Sequence, residues 1–183
     1  MQLINESTAI ALTYGFFRKN DLDPKRPRIV AFIDFGHSKL TITYCSFIPG
    51  KTKVIMSHSN RNLGARKIDY LLFEILAAEF AKKHGCDPRD SPRARLRMLD
   101  AIEKMRKLLT ANKEAEINCE SLMEDQDFRK LFQRTDLESL MDPFMRQFAL
   151  CIKESLAKSG KETSYLFIRS NYFYLSRFVL RPH

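Results

Sequence analysis

Apolar side chains between residues 28 and 58 follow the pattern of three β-strands. Residues 28–34 are a nearly continuous apolar run, which is typical of a strand covered on both faces. Residues 40–48 alternate β-branched and aromatic side chains with others, and residues 52–58 follow a Pro-Gly turn. Because the connections are short, we predict that these strands form an antiparallel meander.

Helical periodicity governs most of the remaining chain. We predict a first helix over residues 4–19, a second that ends at about His84, and a third over about 93–112. The expected core stripe of the second helix is Ile68, Leu71, Leu72, Ile75 and Ala78. That of the third is Met98, Ile102, Met105 and Leu109, with wider coverage at Leu96 and Leu99.

A fourth helix is predicted after Thr135, and Pro143 in its early turns predicts a kink or a break. Its apolar stripe is Leu137, Leu140, Met141, Phe144, Phe148, Cys151 and Ile152. Weaker strand candidates cover residues 114–123, 127–133 and 165–169. A mixture of strands and long helices in this order predicts the α/β class.

Composition places the chain among globular proteins. It has 183 residues, of which 44% are hydrophobic and 29% charged. The four cysteines, Cys45, Cys86, Cys119 and Cys151, stand far apart, which favours free thiols in a reducing compartment over a disulfide framework or a zinc site. No apolar run approaches the roughly 20 residues of a membrane-spanning helix, so no membrane partner is expected.

The formal net charge of +9 makes nucleic-acid binding one hypothesis, because clustered Lys and Arg release counterions from phosphates. The candidate residues are Lys82, Lys83, Arg89, Arg93, Arg95, Arg97, Lys104, Arg106 and Lys107. They spread around their helices, and aromatic residues do not interleave with them. Solvated helix faces are therefore the favoured interpretation.

The first candidate site is Asp34 with the small polar turn that follows it. A tight turn can direct backbone N–H groups at phosphate oxygens, and a carboxylate at a strand end can hold Mg²⁺ through water. An aspartate that only caps a turn is the commoner case, so spacing alone leaves both interpretations open.

The second candidate site is a face of the third helix. Glu103, Arg106, Lys107 and Thr110 share one side, away from the apolar stripe. A carboxylate, two cations and a hydroxyl could hold a ribose and stack on a base, although a solvated face of ion pairs is more common.

Other chemistry has no support in the sequence. The four histidines have no cysteine or histidine partner at metal-ligand spacing, and no serine-hydrolase, zinc-protease or P-loop motif is present. We therefore assign no catalytic residue and no direct metal ligand.

Four segments of the chain resemble the heat-shock protein 70 family. The segment INESTA at 4–9 resembles the INEPTA segment of that family, and IDFGHS at 33–38 resembles its second phosphate loop. The segment NLGARKID at 62–69 resembles its LGG…FD segment, and EKMRKLLT at 103–110 resembles its adenosine-contacting ERAKRTLS helix. Ser7 in place of a proline and GHS at 36–38 resemble the heat-shock protein 110 branch.

The resemblance implies an actin-like ATPase (ribonuclease H-like) lobe, the second lobe of a nucleotide-binding domain, over residues 1–160, and a divergent tail over 161–183. It implies ATP or ADP and Mg²⁺ as ligands. The implied phosphate and magnesium environment is Glu6, Asp34, Gly36, His37, Ser38 and Lys39. The implied adenosine pocket is Glu103, Arg106, Lys107 and Thr110. The implied location is the cytoplasm, with the nucleus as a further compartment.

Departures from the family limit what we expect of this chain alone. His37, Ser38 and Lys39 replace two glycines and a threonine, which restricts the close approach of backbone to phosphate. The first phosphate loop and the substrate-binding domain are not in the sequence, and Ser170, Asn171 and Tyr172 stand roughly where the glycines of a VGG-TRIP segment would be expected. We expect little or no ATP hydrolysis, because phosphoryl transfer needs phosphates and metal positioned together.

The leading prediction is a truncated ATP-binding lobe of a heat-shock protein 110-like chaperone. Members of this family bind ATP, exchange nucleotide on heat-shock protein 70 chaperones, and act on unfolded clients through domains beyond this segment. The alternative is a chaperone-docking module that binds no nucleotide. A basic nucleic-acid-binding domain is the least favoured of the three.

Overall fold

The computed structural model describes residues 3–160 and, for the backbone alone, residues 165–170. The chain divides into two compact units. Within the described residues, unit 1 comprises 3–64, 147–160 and 165–170, and unit 2 comprises 65–146. The assignment of residues 1–160 to one lobe stays a prediction. The proposed tail lies outside the described residues except for the backbone of 165–170.

The chain combines strands and helices, in agreement with the predicted α/β class. In chain order they are α1 (Glu6–Arg18), β1 (Arg28–Phe35), β2 (Leu40–Ile48), β3 (Lys51–Asn60), α2 (Ala65–His84), α3 (Pro92–Ala111), β4 (Glu114–Met123), β5 (Gln126–Gln133), α4 (Arg134–Ser159) and β6 (Tyr165–Ser170). All the predicted helices and strands are present, with ends shifted by a few residues.

Unit 1 contains a sheet in the order β3-β2-β1-β6. The first three strands are antiparallel, with Val30 opposite Cys45, which confirms the predicted meander. The strand predicted over 165–169 is also confirmed, and it runs parallel to β1 with Val30 opposite Tyr165. With β2 on one side and β6 on the other, β1 is a central strand.

Strand β1 is apolar from Ile29 to Ile33 because both of its faces are covered. Phe32 lies in the α1-side core with Phe47, and the ring of Tyr14 in α1 lies 5.5 and 4.8 Å from their two centroids. On the alternate positions, the ring of Phe35 lies 5.7 Å from that of Phe148 in α4. The prediction that this strand is covered on both faces is therefore confirmed.

In unit 2, helix α3 carries the stripe that the sequence predicts. Met98, Ile102, Met105 and Leu109 are each at most 1% exposed. The wider coverage expected at Leu96 is wrong, because that side chain is 67% exposed.

The stripe predicted for α2 is partly wrong. Leu71 and Ile75 are 42% and 36% exposed, whereas Phe73, Leu76 and Phe80 are buried. Apolar residues lie almost all round α2, so helical periodicity could not select the buried side.

Helix α4 continues through Pro143 from Arg134 to Ser159, so the predicted break did not occur. Its residues up to Arg146 belong to unit 2 and those from Gln147 to unit 1. Pro143 is exposed, while Met141 and Phe144 beside it are buried. Burial on both sides of the proline offsets the backbone hydrogen bond that the proline cannot donate.

All four cysteines are free, as the sequence predicts, and all four are buried. Burial raises the pKa of the Cys45 thiol to about 11. No group of three or more potential ligands is arranged for a metal ion within the described residues. Among those residues, no helix is both long and apolar enough to cross a membrane.

The native Cys45 thiol should react at least about a hundred-fold more slowly than a model cysteine at pH 8, because only the thiolate is the nucleophile and two pKa units remove that much of it. Mass-spectrometric alkylation kinetics test this. Chain unfolded in urea is the control, and should label all four cysteines at similar rates. Native Cys45 labelling at the unfolded rate would contradict the burial.

Candidate functional site

The turn between β1 and β2 holds most of the predicted phosphate residues. Asp34 is half-buried near the end of β1, and the backbone N–H of Gly36 donates to the carbonyl of Lys39 at 3.0 Å. This bond closes a tight turn in which His37, Ser38 and Lys39 are exposed. The turn therefore offers a hydroxyl, an ammonium and an imidazole to solvent next to a carboxylate.

Gly64 lies directly against this turn. A Cβ built at Gly64 would be 2.7 Å from the His37 carbonyl oxygen, the Ser38 carbonyl carbon and the Lys39 nitrogen. Only a residue without a side chain permits that approach of one backbone to another. The structure thus brings together segments 36–39 and 62–64, which the sequence analysis identified separately.

The loop that carries Gly64 is fixed by Asn60 at the end of β3. The Asn60 side-chain oxygen accepts a hydrogen bond from the Asn62 backbone N–H at 2.9 Å, and the Asn60 carbonyl accepts one from Leu63 at 3.4 Å. Leu63 is 1% exposed. An Asx turn and one buried leucine therefore position the glycine.

Glu6 lies in the first turn of α1 and is exposed. A carboxylate is favourable there because the helix dipole is positive at its N-terminus. Glu6 makes no hydrogen bond or ion pair with another described residue, so its position is consistent with a local helix-start role as well as with a role toward a ligand.

Three of the four predicted adenosine residues share an accessible face of α3. Lys107 forms an ion pair with Glu103 at 2.7 Å, and their side chains are 62% and 35% exposed. The Thr110 hydroxyl donates to the Lys107 carbonyl at 2.6 Å. An acid, an amine and a hydroxyl oxygen therefore lie within two turns of one helix.

Arg106 differs from these three, and the expectation that it lies on a solvated face is wrong. It is 3% exposed, and its guanidinium makes two hydrogen bonds to the Asp69 carboxylate of α2, Nε to Oδ1 at 2.6 Å and Nη2 to Oδ2 at 3.0 Å. Asp69 is itself 5% exposed. The sequence analysis included Asp69 only as the last residue of the NLGARKID segment and gave it no role. An aspartate between Ile68 and Leu72, both on the buried face of α2, is a signal that it needs a partner.

A cavity of about 400 Å³ lies elsewhere in unit 2, between α3 and β4. Its charged lining includes Arg97, Asp100 and Lys104, and none of the four predicted adenosine residues. Lys104 is paired with Asp100 at 2.7 Å, and this carboxylate raises the pKa of Lys104. Arg97 donates to the carbonyls of Glu120 and Ser121 at 2.6 and 2.7 Å. The cavity and the predicted adenosine face therefore use different sides of α3.

Several of the basic residues that suggested nucleic acid have carboxylate partners. Arg89 bonds Asp87 and lies 3.4 Å from Glu74, and Lys104, Arg106 and Lys107 each have a carboxylate partner. A cation paired in this way releases fewer counterions from a phosphate backbone than an unpaired one. These pairs favour the interpretation of a charged helix surface over that of a nucleic-acid groove.

The residues around the turn fit the groups that a magnesium nucleotide would present. A lysine and a serine hydroxyl suit phosphate oxygens, and one half-buried carboxylate suits a Mg²⁺ ion that keeps most of its ligands from phosphate and water. Glu103 and Thr110 suit ribose hydroxyls. Arg106 differs from these residues, because Asp69 already holds its Nε and Nη2 in a buried position.

Comparison with known proteins gives one consistent family. A family model described as Hsp70 protein matches residues 1–166. A heat shock protein homolog of Lachancea kluyveri is 37% identical over 162 residues, and its namesake from Saccharomyces cerevisiae is 36% identical over 161. The "97 kDa heat shock protein" of Mesocentrotus franciscanus is 34% identical over 161 residues.

These alignments cover 87% of this chain but only 23%, 23% and 18% of the three relatives. The chain thus spans about a quarter or less of the length of the curated relatives that it matches.

Proposed function

The chain belongs to the Hsp70 family, whose nucleotide-binding domain has the actin-like ATPase fold, and from this membership we propose that it is an ATP- and ADP-binding lobe of a heat-shock protein 110-like chaperone. Residues 1–160 are the second lobe of that domain in this proposal. The relatives carry the name heat shock protein, so the chaperone family supports a role in protein folding.

The contact of Gly64 with the turn at 36–39 is the observation that carries the proposal. A backbone packed this closely behind a turn fixes its backbone N–H groups before a ligand arrives, which is how turns bind phosphate. Bulky side chains stand at 37–39, yet all three are exposed and leave the backbone contact intact. The turn is therefore the proposed phosphate site.

The remaining ligand groups are assigned by chemistry. Lys39 and Ser38 would bind phosphate oxygens, and Asp34 would hold Mg²⁺ through water. The bound Mg²⁺ would neutralise phosphate charge. Glu103 and Thr110 would accept hydrogen bonds from the ribose, and Lys107 would lie against the base. Glu6 is the weakest of the assignments, since its only visible role is at the start of α1.

The whole-protein role follows from the same family. We propose that a longer protein containing this lobe exchanges nucleotide on a heat-shock protein 70 chaperone and acts in the cytoplasm, with unfolded clients bound by other domains. The names of the relatives support a chaperone role, and nucleotide exchange is proposed from the family resemblance.

The Lys107→Ala variant is expected to weaken Mg-ADP binding by about two- to five-fold, the range of a cation against an aromatic ring at an exposed site. Isothermal titration calorimetry measures the affinity. Lys104→Ala is a matched control, because Lys104 has the same kind of i,i+4 ion pair on the other side of α3. Equal losses of Mg-ADP affinity in both variants, or a loss in Lys104→Ala alone, would contradict the assignment of the Lys107 side of α3 to the adenosine site.

A docking role without nucleotide is the second candidate, and one observation favours it. Leu12, Phe16 and Phe17 of α1 are 53%, 68% and 76% exposed. Exposed apolar side chains that cluster on one helix are typical of a protein–protein interface. In this candidate, the α1 surface binds a heat-shock protein 70 chaperone directly.

The docking candidate predicts that the chain, at micromolar concentration, accelerates ADP release from a heat-shock protein 70 chaperone, and that the Phe16→Ala/Phe17→Ala variant does so less. Stopped-flow release of a fluorescent ADP measures the rate. Leu131→Ala removes a comparably exposed apolar side chain from unit 2 and is the control. An unchanged release rate with the wild-type chain counts against this candidate.

A further inference from the structure

We infer that Arg106 is a positioning residue of the adenosine site, that it acts through Asp69 of α2, and that it does not bind the nucleotide. The inference rests on the proposed function, because it concerns the same face of α3. It changes the assignment that family resemblance gives to Arg106, and it adds Asp69, which no comparison assigns.

The burial of the pair argues against a ligand role. The side chains of Arg106 and Asp69 are 4% and 7% exposed. Two parallel hydrogen bonds at 2.6 and 3.0 Å use the fork of the guanidinium against both carboxylate oxygens. A nucleotide could reach this guanidinium only by breaking the pair and leaving the Asp69 carboxylate buried without its partner, which is strongly unfavourable.

The position of the pair gives it a second role. Asp69 lies among the buried apolar residues of α2 and Arg106 among those of α3, and the two helices pack on each other. A two-bond fork has a fixed geometry, unlike an apolar contact that tolerates sliding. The pair therefore sets how α3 is rotated and shifted along α2.

That rotation determines where the accessible residues of α3 point. Lys107 follows Arg106 directly, Glu103 lies one turn before it and Thr110 one turn after it. A helix that turns by one residue moves each side chain by about 100°, so a small change in the α3 register displaces all three. The two positions 69 and 106 should consequently act on nucleotide affinity as one unit.

A double-mutant cycle on the full chain tests this. Asp69→Asn, Arg106→Lys and the double variant are compared by titration with Mg-ADP and by thermal unfolding. We expect each single variant to weaken binding on the order of five-fold, with the double variant no weaker than either, because contacting residues of one network are not additive. Lys107→Ala combined with any of them should weaken binding by less than it does in the wild type, because the shift of α3 has already displaced Lys107.

An unchanged affinity for Mg-ADP in Asp69→Asn together with a loss in Arg106→Lys would overturn the inference. That result would mean that Arg106 contacts the nucleotide itself and does not act through the charge of Asp69. If the polar variants fail to fold, Asp69→Leu/Arg106→Met replaces both charges with apolar groups that can pack. This variant should fold, but should bind ADP about as weakly as the single variants and show altered hydrogen exchange in α3, because an apolar contact tolerates sliding and no longer fixes the register. A ten-fold loss with unchanged hydrogen exchange in α3 would show that the guanidinium itself is a ligand.

Failure of the proposed function gives a different result. A wild-type chain that binds no Mg-ADP at all would remove the adenosine site and this inference with it. The inference alone fails if the wild-type chain binds Mg-ADP and the affinity losses of the variants at 69 and 106 multiply independently in the double variant.

Discussion

Gly64→Ala is expected to destabilise the chain by about 1–3 kcal/mol, the range for an overpacked site, and to weaken Mg-ADP binding by roughly ten-fold or more. The added Cβ would stand 2.7 Å from three backbone atoms of residues 37–39. Backbone atoms cannot rotate away as a side chain can, so the turn or the loop must shift. Because the turn is the proposed phosphate site, affinity and stability should fall together.

Gly36→Ala is the matched control in the same turn. Its Cβ would meet only the Lys39 carbonyl oxygen, at the ordinary contact distance of 3.4 Å. We expect a change in unfolding free energy within about 0.5 kcal/mol, as for substitutions that create no clash. Urea denaturation gives both values. A Gly64→Ala variant as stable as Gly36→Ala would show that the loop does not support the turn.

Asp69→Ala is expected to cost about 3–5 kcal/mol, because it leaves the Arg106 guanidinium buried without its carboxylate. Losses of this size are a large part of the stability of a typical domain. Asp100→Ala removes a carboxylate from the exposed Lys104 pair on α3 and should cost far less, because solvent screens an exposed pair.

Urea denaturation of the two aspartate variants measures this difference. Equal small losses would mean that water reaches the Asp69 site and screens the remaining charge. Asp69→Leu/Arg106→Met should recover most of the stability lost in Asp69→Ala, since replacing both members of a buried pair by apolar groups is often neutral.

Sequence periodicity predicted the strands of unit 1 because each pattern there has one physical cause. The run at 28–34 is apolar since β1 has α1 on one face and α4 on the other. The stripe of α3 was equally clear, because charged residues surround it and leave one apolar side. Helix α2 lacks that contrast, so its buried side depended on tertiary contacts that periodicity does not contain.

The candidate site was predictable as residue types and not as contacts. Spacing placed Arg106 with Glu103, Lys107 and Thr110, but a partner 37 positions away decides its burial. The aspartate inside the apolar face of α2 was the available sign. In the same way, glycine at position 64 was visible as a motif residue, whereas its contact with residues 37–39 needed the fold.

The most direct measurement is the map of backbone amide shifts when Mg-ADP is added to isotopically labelled chain. The account predicts saturable shifts at residues 36–39 and 64 of unit 1 and at 103, 107 and 110 of unit 2, with smaller shifts at 69 and 106. No saturable shift at millimolar ADP, or shifts confined to the cavity between α3 and β4, would contradict it.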